Sequence, residues 1–414
     1  MILRKLIPIW MLAAATVSLP AQTTESLDTT TFIVMGEGLA AGMANFGLSS
    51  TVQSRSFPAQ MARQMQTLFP QPLMQGPGLG DVLGYPPQQA TAPRYPQDRV
   101  RIYPSRQDPN DEAPTLFVFN LSVPGMRLAD SVSRRPVSPL IQRDSQQTAI
   151  NLILGFPSMI LSENVPLWTQ FEYAKAMMPT FVLVELGFFE ALDSAVAGDP
   201  ARTPDPATFR ATYSDIVKGL RAMWAQVIVT TVPNPIDTAY FSPPPVAAAI
   251  VKAPVSVLSQ RYNISEADYV TRNGLRAISK QLVLRDTQPL PAGSVMTAAT
   301  AADIQRRVQA LNAEIVNVAR ESGALVYDLN GFFRRVRSTG ATVGTATLTA
   351  NYLGGFYSLD GYYPGATGHA LIANDILAFL NTSYGLSFPL VDAAAVQKSD
   401  PMTQLIMSKD PLFQ

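Results

Sequence analysis

Short, continuously apolar runs alternate with helical segments along most of the chain. The runs are rich in β-branched residues and do not alternate with polar residues, which is typical of strands in a parallel sheet covered by helices on both faces. The pattern therefore predicts an α/β fold built around a parallel sheet. The predicted strands are TFIVM (31–35), TLFVFNLSV (115–123), TFVLVEL (180–186), QVIVTTV (226–232) and ALVYDL (324–329).

Helices are predicted most clearly where apolar residues recur at i, i+3 and i+4. This spacing occurs over residues 207–225 and again over 300–323. The second segment has Thr300 as its predicted N-cap and Gly323 just past its end. A last helix is predicted after Pro364.

Two irregular insertions interrupt the predicted core. Residues 70–114 contain ten of the 34 prolines, so we expect few strands there. Residues 233–298 are predicted to form short helices, as a lid or a side wall. Both insertions depart from the predicted core at or near the carboxyl ends of strands, where open α/β sheets bind their ligands. The tail from 383 to 414 has no clear periodicity.

The N-terminus has the layout of a secretory signal peptide. A basic start, MILRK, precedes the apolar stretch LIPIWMLAAATVSL and a small-residue cleavage site. We expect a signal peptide over 1–21, cleaved after Ala21, and a linker over 22–30. An uncleaved N-terminal anchor is the alternative. The chain is thus expected to be exported by a bacterium, to the periplasm or the medium.

Composition excludes several classes of protein. Lys+Arg and Asp+Glu balance at 31 each, and charged residues make up 15% of the chain, so nucleic acid is not an expected partner. Strong electrostatic binding to anionic membranes is not expected either. No later stretch is long and apolar enough for an integral membrane protein. Without Cys the chain has neither disulfides nor thiolate metal sites. We expect no cofactor and no metal.

Short motifs stand at the predicted strand ends: GEGLAAG at 36–42, Gly125, GFFE at 187–190 and DGYY at 360–363. Taken together, they resemble the SGNH (GDSL) hydrolase family. The first block, GEGLAAG at 36–42, corresponds to the family's Gly-Asp-Ser-Leu, and Gly125 corresponds to the Gly of the second block. GFFE at 187–190 stands where the family has Gly-x-Asn-Asp, and DGYY at 360–363 where it has Asp-x-x-His. The resemblance covers about 31–382. It implies a flavodoxin-like three-layer sandwich and an activity on esters, acyl groups or acetylated sugars.

The catalytic side chains that the resemblance implies are not present. The position of the family's nucleophilic Ser holds Gly38, and the position of the oxyanion-stabilising Asn holds Phe189. The position of the His base holds Tyr363, whose phenol is a poor base at neutral pH. Only Asp360 and the backbone of Gly125 match. Because the members of such a triad act together, the expected result is a catalytically inactive protein.

Other residues could supply a different chemistry. His369, the only histidine, is interpreted as a structural helix residue, with a substitute base as the alternative. Ser358 is the hydroxyl nearest to Asp360. The carboxylates of Glu37, Glu190 and Asp360 could form a glycosidase-like pair, but the favoured interpretation is that the two glutamates hydrogen-bond loop backbone. An ester or acyl hydrolase with non-standard residues, of the lipase or acetylesterase type, remains the alternative function.

Aromatic rings replace the polar groups of the family's site. These rings either fill the crevice, which leaves a scaffold that acts through its surface, or line a cleft for an acyl chain or a glycan. A partner protein of the cell envelope is the other expected partner. The candidate binding residues are Glu37, Phe188, Glu190 and Tyr362, with Phe189 and Tyr363 beside them.

Overall fold

The computed structural model describes residues 26–74, 78–80, 117–155 and 167–400. The predicted signal peptide and most of the proline-rich insertion lie outside the described residues, as does the end of the tail.

A four-stranded parallel sheet forms the centre of the described structure, in the order β1 (Phe32–Gly36), β2 (Phe181–Glu185), β3 (Gln226–Thr230) and β7 (Leu325–Tyr327). Its strands coincide with four of the five predicted runs, and their side chains are almost all buried. The described strands are β1 (Phe32–Gly36), β2 (Phe181–Glu185), β3 (Gln226–Thr230), β4 (Phe241–Ser242), β5 (Tyr269–Thr271), β6 (Val295–Met296), β7 (Leu325–Tyr327), β8 (Ala341–Val343) and β9 (Ala346–Leu348).

The predicted strand at 115–123 is replaced by a single parallel bridge, between Val34 and Asn120. Val34 N–H donates to Phe119 O and Leu121 N–H donates to Val34 O, both at 2.9 Å, so the segment runs along β1. The Asn120 side chain accepts a hydrogen bond from Ser122 N–H. Such a local side-chain bond competes with a regular ladder, which explains why the run is not a full strand.

Helices cover the sheet and connect its strands. Two 3₁₀ turns are also present: Pro200–Arg202 follows the helix Phe188–Ala197, and Pro235–Asp237 follows β3. The described helices are α1 (Gly38–Ala41), α2 (Ser50–Gln53), α3 (Phe57–Met65), α4 (Leu128–Ser133), α5 (Ser145–Ile153), α6 (Gln170–Ala176), α7 (Phe188–Ala197), α8 (Pro206–Arg221), α9 (Pro244–Ile250), α10 (Val255–Tyr262), α11 (Arg272–Leu284), α12 (Ala298–Ser322), α13 (Leu329–Thr339), α14 (Ala366–Tyr384) and α15 (Ala393–Lys398).

The long helix α12 begins earlier than predicted. Its N-cap is Thr297, whose side chain accepts from the N–H of Thr300, so the predicted cap Thr300 is instead the third helical residue. Both threonines precede apolar residues, and the cap is the one whose backbone is extended. Gly323 ends the helix as predicted, with a φ of 68° that favours glycine.

The insertion at 233–298 contains more than short helices. Helices α9, α10 and α11 are present, and β4, β5 and β6 form a small antiparallel sheet in the order β4-β5-β6. The sequence pattern misses these strands because they have only two or three residues each.

The first part of the predicted tail packs against α14. Asn374 and Asn381 of α14 exchange hydrogen bonds with the backbone of Val391 and Phe388. The Asp400 carboxylate accepts from Thr367 N–H and Oγ1, at 2.8 and 2.6 Å. Among the described residues, none of the helices is both long enough and apolar enough to cross a membrane.

Candidate functional site

The turn between β1 and α1 places the first motif at the carboxyl end of the sheet. Glu37 is the N-cap of α1, and its Oε1 accepts from Leu39 N–H at 2.7 Å. A Cβ on Gly36 would lie 2.7 Å from Ala40 Cβ and 2.9 Å from Ser122 Oγ, so the strand can turn here only with glycine. The whole turn, including the Glu37 carboxylate, is buried.

The ring of Tyr363 occupies the space above Gly38. A Cβ on Gly38 would lie 2.4 Å from Tyr363 Oη and 2.7 Å from its Cζ, closer than real Cβ contacts come. Tyr363 is itself buried, and its Oη donates to Glu37 Oε2 at 2.9 Å. Burial, followed by the charge of Glu37, raises the pKa of the Tyr363 phenol well above its usual value. The phenol is therefore a hydrogen-bond donor here.

Asp360 shapes the loop that carries Tyr363. Its Oδ1 accepts from the N–H groups of Tyr362 and Tyr363 at 3.0 and 2.8 Å, and its Oδ2 accepts from Ser358 Oγ at 2.5 Å. Ser358 Oγ also accepts from Asn45 N–H. Both Ser358 and Asp360 are buried. Burial raises the pKa of Asp360, and its hydrogen bonds oppose that effect.

A second buried carboxylate, Glu185, supports the same turn and was not singled out from the sequence. Its Oε2 accepts from Glu37 N–H at 3.3 Å and from Ala40 N–H at 3.2 Å. Burial raises the pKa of Glu37 to about 7, and burial and the charge of Glu37 raise that of Glu185 well above its usual value. A carboxylate within the apolar run FVLVE was the signal that could have revealed it.

Glu190 lies in the first turn of α7 and is buried. Its Oε1 accepts from Leu128 N–H at 2.6 Å, which ties α7 to the start of α4. Burial raises its pKa. Glu37 and Glu190 thus both accept hydrogen bonds from backbone N–H groups.

A cavity of about 180 Å³ lies beside the Tyr363 ring, and the predicted motifs supply part of its wall. The half-buried ring of Phe189 covers Gly125, where a Cβ would lie 3.6 Å from its Cζ, and Arg127 stacks on the same ring at 5.2 Å. The lining residues are Met43, Leu79, Gly80, Pro124, Gly125, Ser145, Gln146, Ala149, Phe189, Tyr362 and Tyr363.

Residues that line this cavity from α5 were not identified from the sequence. Gln146 donates from Nε2 to Gly125 O at 2.5 Å and to Asp130 Oδ2 at 2.9 Å. No motif marked α5, because its contribution depends on how the chain folds back over the sheet.

Phe188 does not line the cavity. It is fully buried and packs edge-on against Tyr363, with ring centroids 6.4 Å apart, and against Phe333 at 6.5 Å. Phe356 and Tyr357 belong to the same buried cluster through Phe333. The rings at this end of the sheet therefore divide into a packed layer and a cavity wall.

His369 lies on α14, and its side chain contacts α3, not the loop that carries Tyr363. Its Nδ1 accepts from Phe57 N–H at 3.3 Å, and the two rings stack at 6.1 Å. Burial lowers the pKa of His369 to about 3, so it stays neutral. Among the described residues, no three acidic or histidine side chains cluster closely enough to hold a metal ion.

Comparisons with known proteins give one distant similarity. No protein-family model matches the sequence, and no curated protein matches it. Among solved structures the chain is similar to LAE5, an alpha/beta hydrolase enzyme from the metagenome of Lake Arreo, Spain. The TM-score is 0.36 and the identity 12%, over 85% of this chain and 95% of that chain. At this level of similarity nothing of that enzyme's activity is transferred to this chain.

Proposed function

We propose that the chain is an exported SGNH-hydrolase-like protein that has lost hydrolase chemistry and binds a small apolar group in the cavity beside Tyr363. The observation that carries the proposal is the position of Tyr363, whose Oη would lie 2.4 Å from a Cβ on Gly38. The place of a nucleophile is filled by a ring that a hydrogen bond to Glu37 holds in position.

The sheet order supports the family resemblance. The segment at 119–123 runs beside β1 and can be counted as the second strand in chain order, which makes β2, β3 and β7 the third, fourth and fifth. The order across the sheet is then 2-1-3-4-5. This is the flavodoxin-like order, in which ligands bind beyond the carboxyl ends of the strands. Gly38, Gly125 and Phe189 all lie at that end.

The loss of Ser-His hydrolysis is supported by the described wall of the cavity, which contains no histidine. Tyr363 donates to Glu37 and cannot act as a base near neutral pH, because its pKa is raised well above its usual value. Phe189 presents a ring with no donor to the cavity. Glu37 is fully buried beneath Tyr363, so a substrate does not reach its carboxylate.

The cavity suits the end of an acyl chain better than a sugar. A buried glycan needs several hydrogen-bond partners in its site. The amide nitrogen of Gln146 already donates to Gly125 O and Asp130 Oδ2, so both of its N–H groups are in use. Met43, Phe189 and Tyr362 supply apolar and aromatic surface. The volume of about 180 Å³ is below the roughly 300–1,000 Å³ of typical ligand pockets, so we expect one small group to enter.

A binding experiment with a matched activity assay tests the proposal. We expect hexanoate to bind saturably, with a change in tyrosine emission, and hexanoyl p-nitrophenyl ester to be hydrolysed no faster than in buffer. Phe189→Ala should weaken hexanoate binding by about tenfold, the effect of roughly 1.4 kcal/mol. Phe171→Ala, which removes another half-buried ring, stacked under Lys175, is the control. Enzymatic turnover of the ester, or absence of saturable binding, would contradict the proposal.

Export is supported by the sequence of the first 21 residues, with their basic start and apolar stretch. The proposal predicts that protein recovered from the producing cell begins at Gln22. Mass spectrometry of the N-terminal peptide checks this, and recovery of the chain from the cytoplasm with Met1 intact would refute export.

A further inference from the structure

Exposed apolar side chains lie at the amino edge of the parallel sheet, the end at which its strands begin. This end is opposite the candidate site. Met178 lies three residues before β2 and is 75% exposed, and Trp224 lies two residues before β3 and is 92% exposed. Phe117, at 55%, precedes the segment that runs along β1. Leu68, at 51%, follows Thr67, whose Oγ1 donates to Thr29 O just before β1.

The backbone at two of these residues does not favour large side chains. Met178 and Trp224 have φ angles of 47° and 63°, in the left-handed region. Each ends the connection from a helix, where glycine or asparagine would relieve the strain. A large apolar side chain at such a position costs both strain and exposure to water. Neither side chain is buried in the core, so folding alone does not explain them.

The same surface carries cationic side chains. Met178 and Trp224 line one open depression together with Lys218, Arg221 and Asp28. Lys175 lies three residues before Met178 and is exposed. Aromatic and apolar side chains bordered by Lys and Arg are the composition found at the boundary between lipid headgroups and acyl chains.

We propose that the amino edge of the sheet, defined by Leu68, Phe117, Met178 and Trp224, is a contact surface for a lipid bilayer. The apolar side chains enter the headgroup region, and Lys175, Lys218 and Arg221 face anionic headgroups. The site at the carboxyl ends of the strands then points away from the bilayer. This surface is independent of whether the cavity beside Tyr363 binds a ligand.

Trp224 itself provides the test. In the chain that begins at Gln22 and carries Trp168→Phe, Trp224 is the only tryptophan. Vesicles of phosphatidylcholine and phosphatidylglycerol, with bromine on the acyl chains, should shift its emission to shorter wavelength and quench it. Met178→Ser in the same background should lower the apparent affinity for vesicles by about tenfold.

The control variant changes equally exposed apolar residues elsewhere. Val283→Ser with Leu284→Ser, at the end of α11, should leave the Trp224 response unchanged. A Trp224 emission that brominated vesicles do not quench overturns the proposal. So does an emission shift that appears without lipid and grows with protein concentration, because the occupant of the surface would then be a second copy of the chain.

Discussion

The phenolic Oη of Tyr363 donates a 2.9 Å hydrogen bond to Oε2 of Glu37, across 326 positions of sequence. The bond joins the loop before α14 to the cap of α1 and passes directly over Gly38. Its donor stands where the resemblance to SGNH hydrolases implies a base, and the space for the nucleophile lies under its ring. The absence of a side chain at Gly38 and the position of Tyr363 are therefore one structural feature.

Gly38→Ser should destabilise the protein by roughly 1–3 kcal/mol, because its Cβ would overlap the buried Tyr363 ring. Placing a hydroxyl side chain at this position thus requires removal of the ring. In a Tyr363→Ala background the same Gly38→Ser change should cost much less, and urea unfolding of the two single variants and the double variant measures the difference. Equal costs in both backgrounds would show that the ring is not what excludes a side chain.

How much of this arrangement could be predicted depends on whether its cause is local. Continuous apolar runs revealed β1, β2, β3 and β7, because strands buried on both faces need such runs. The N-cap of α12 was misplaced because Thr297 and Thr300 differ only in backbone conformation. At the site, the motifs predicted that Gly38, Phe189 and Tyr363 stand where the resemblance implies Ser, Asn and His.

The contacts at the site were not readable from the sequence in the same way. Motif spacing placed Glu37 and Tyr363 at the same end of the sheet, but not in a hydrogen bond. Phe188 and Phe189 are adjacent in sequence, yet one is packed in the core and the other lines the cavity. That division is decided by the rotation of α7 against the sheet, which depends on tertiary packing.

Glu37→Gln should change how stability depends on pH. The folded-state pKa of Glu37 is about 7, above its ordinary value of 4.5, because the carboxyl is buried. Between these two values the folded protein binds a proton that the unfolded chain has released, so the wild type loses stability as pH rises. The glutamine side chain of the Glu37→Gln variant still offers an oxygen that accepts from Leu39 N–H, but it does not titrate. The unfolding free energy of this variant relative to wild type should therefore rise by about 3 kcal/mol from pH 4.5 to 7.

Urea unfolding of both proteins across this pH range checks the prediction. Glu266 is exposed, and Glu266→Gln is the control that should follow the wild-type curve. A constant difference between wild type and Glu37→Gln at all pH values would mean that Glu37 does not take up a proton on folding.

Asp360→Ala should destabilise the protein far more than Asp360→Asn. Alanine leaves the buried N–H groups of Tyr362 and Tyr363 without their acceptor, at a cost of about 1–3 kcal/mol for each group. Asparagine can still accept from both through its oxygen. Thermal unfolding of the two variants compares them, and similar losses in both would show that the negative charge, and not the acceptor, holds the loop.

His369→Gln should remove part of the sensitivity of the fold to acid. Burial lowers the folded-state pKa of His369 to about 3, whereas the unfolded histidine has its ordinary value of 6.5. Between these values the unfolded chain binds the extra proton, so the wild type loses stability as pH falls, by up to about 5 kcal/mol at pH 3. Glutamine can accept the hydrogen bond from Phe57 N–H but does not titrate. The difference in unfolding free energy between wild type and His369→Gln should therefore shift in favour of the variant as pH falls below 6.5. A parallel pair of curves would show that the imidazole reaches water in the folded protein, and a histidine of that kind could still serve as a base.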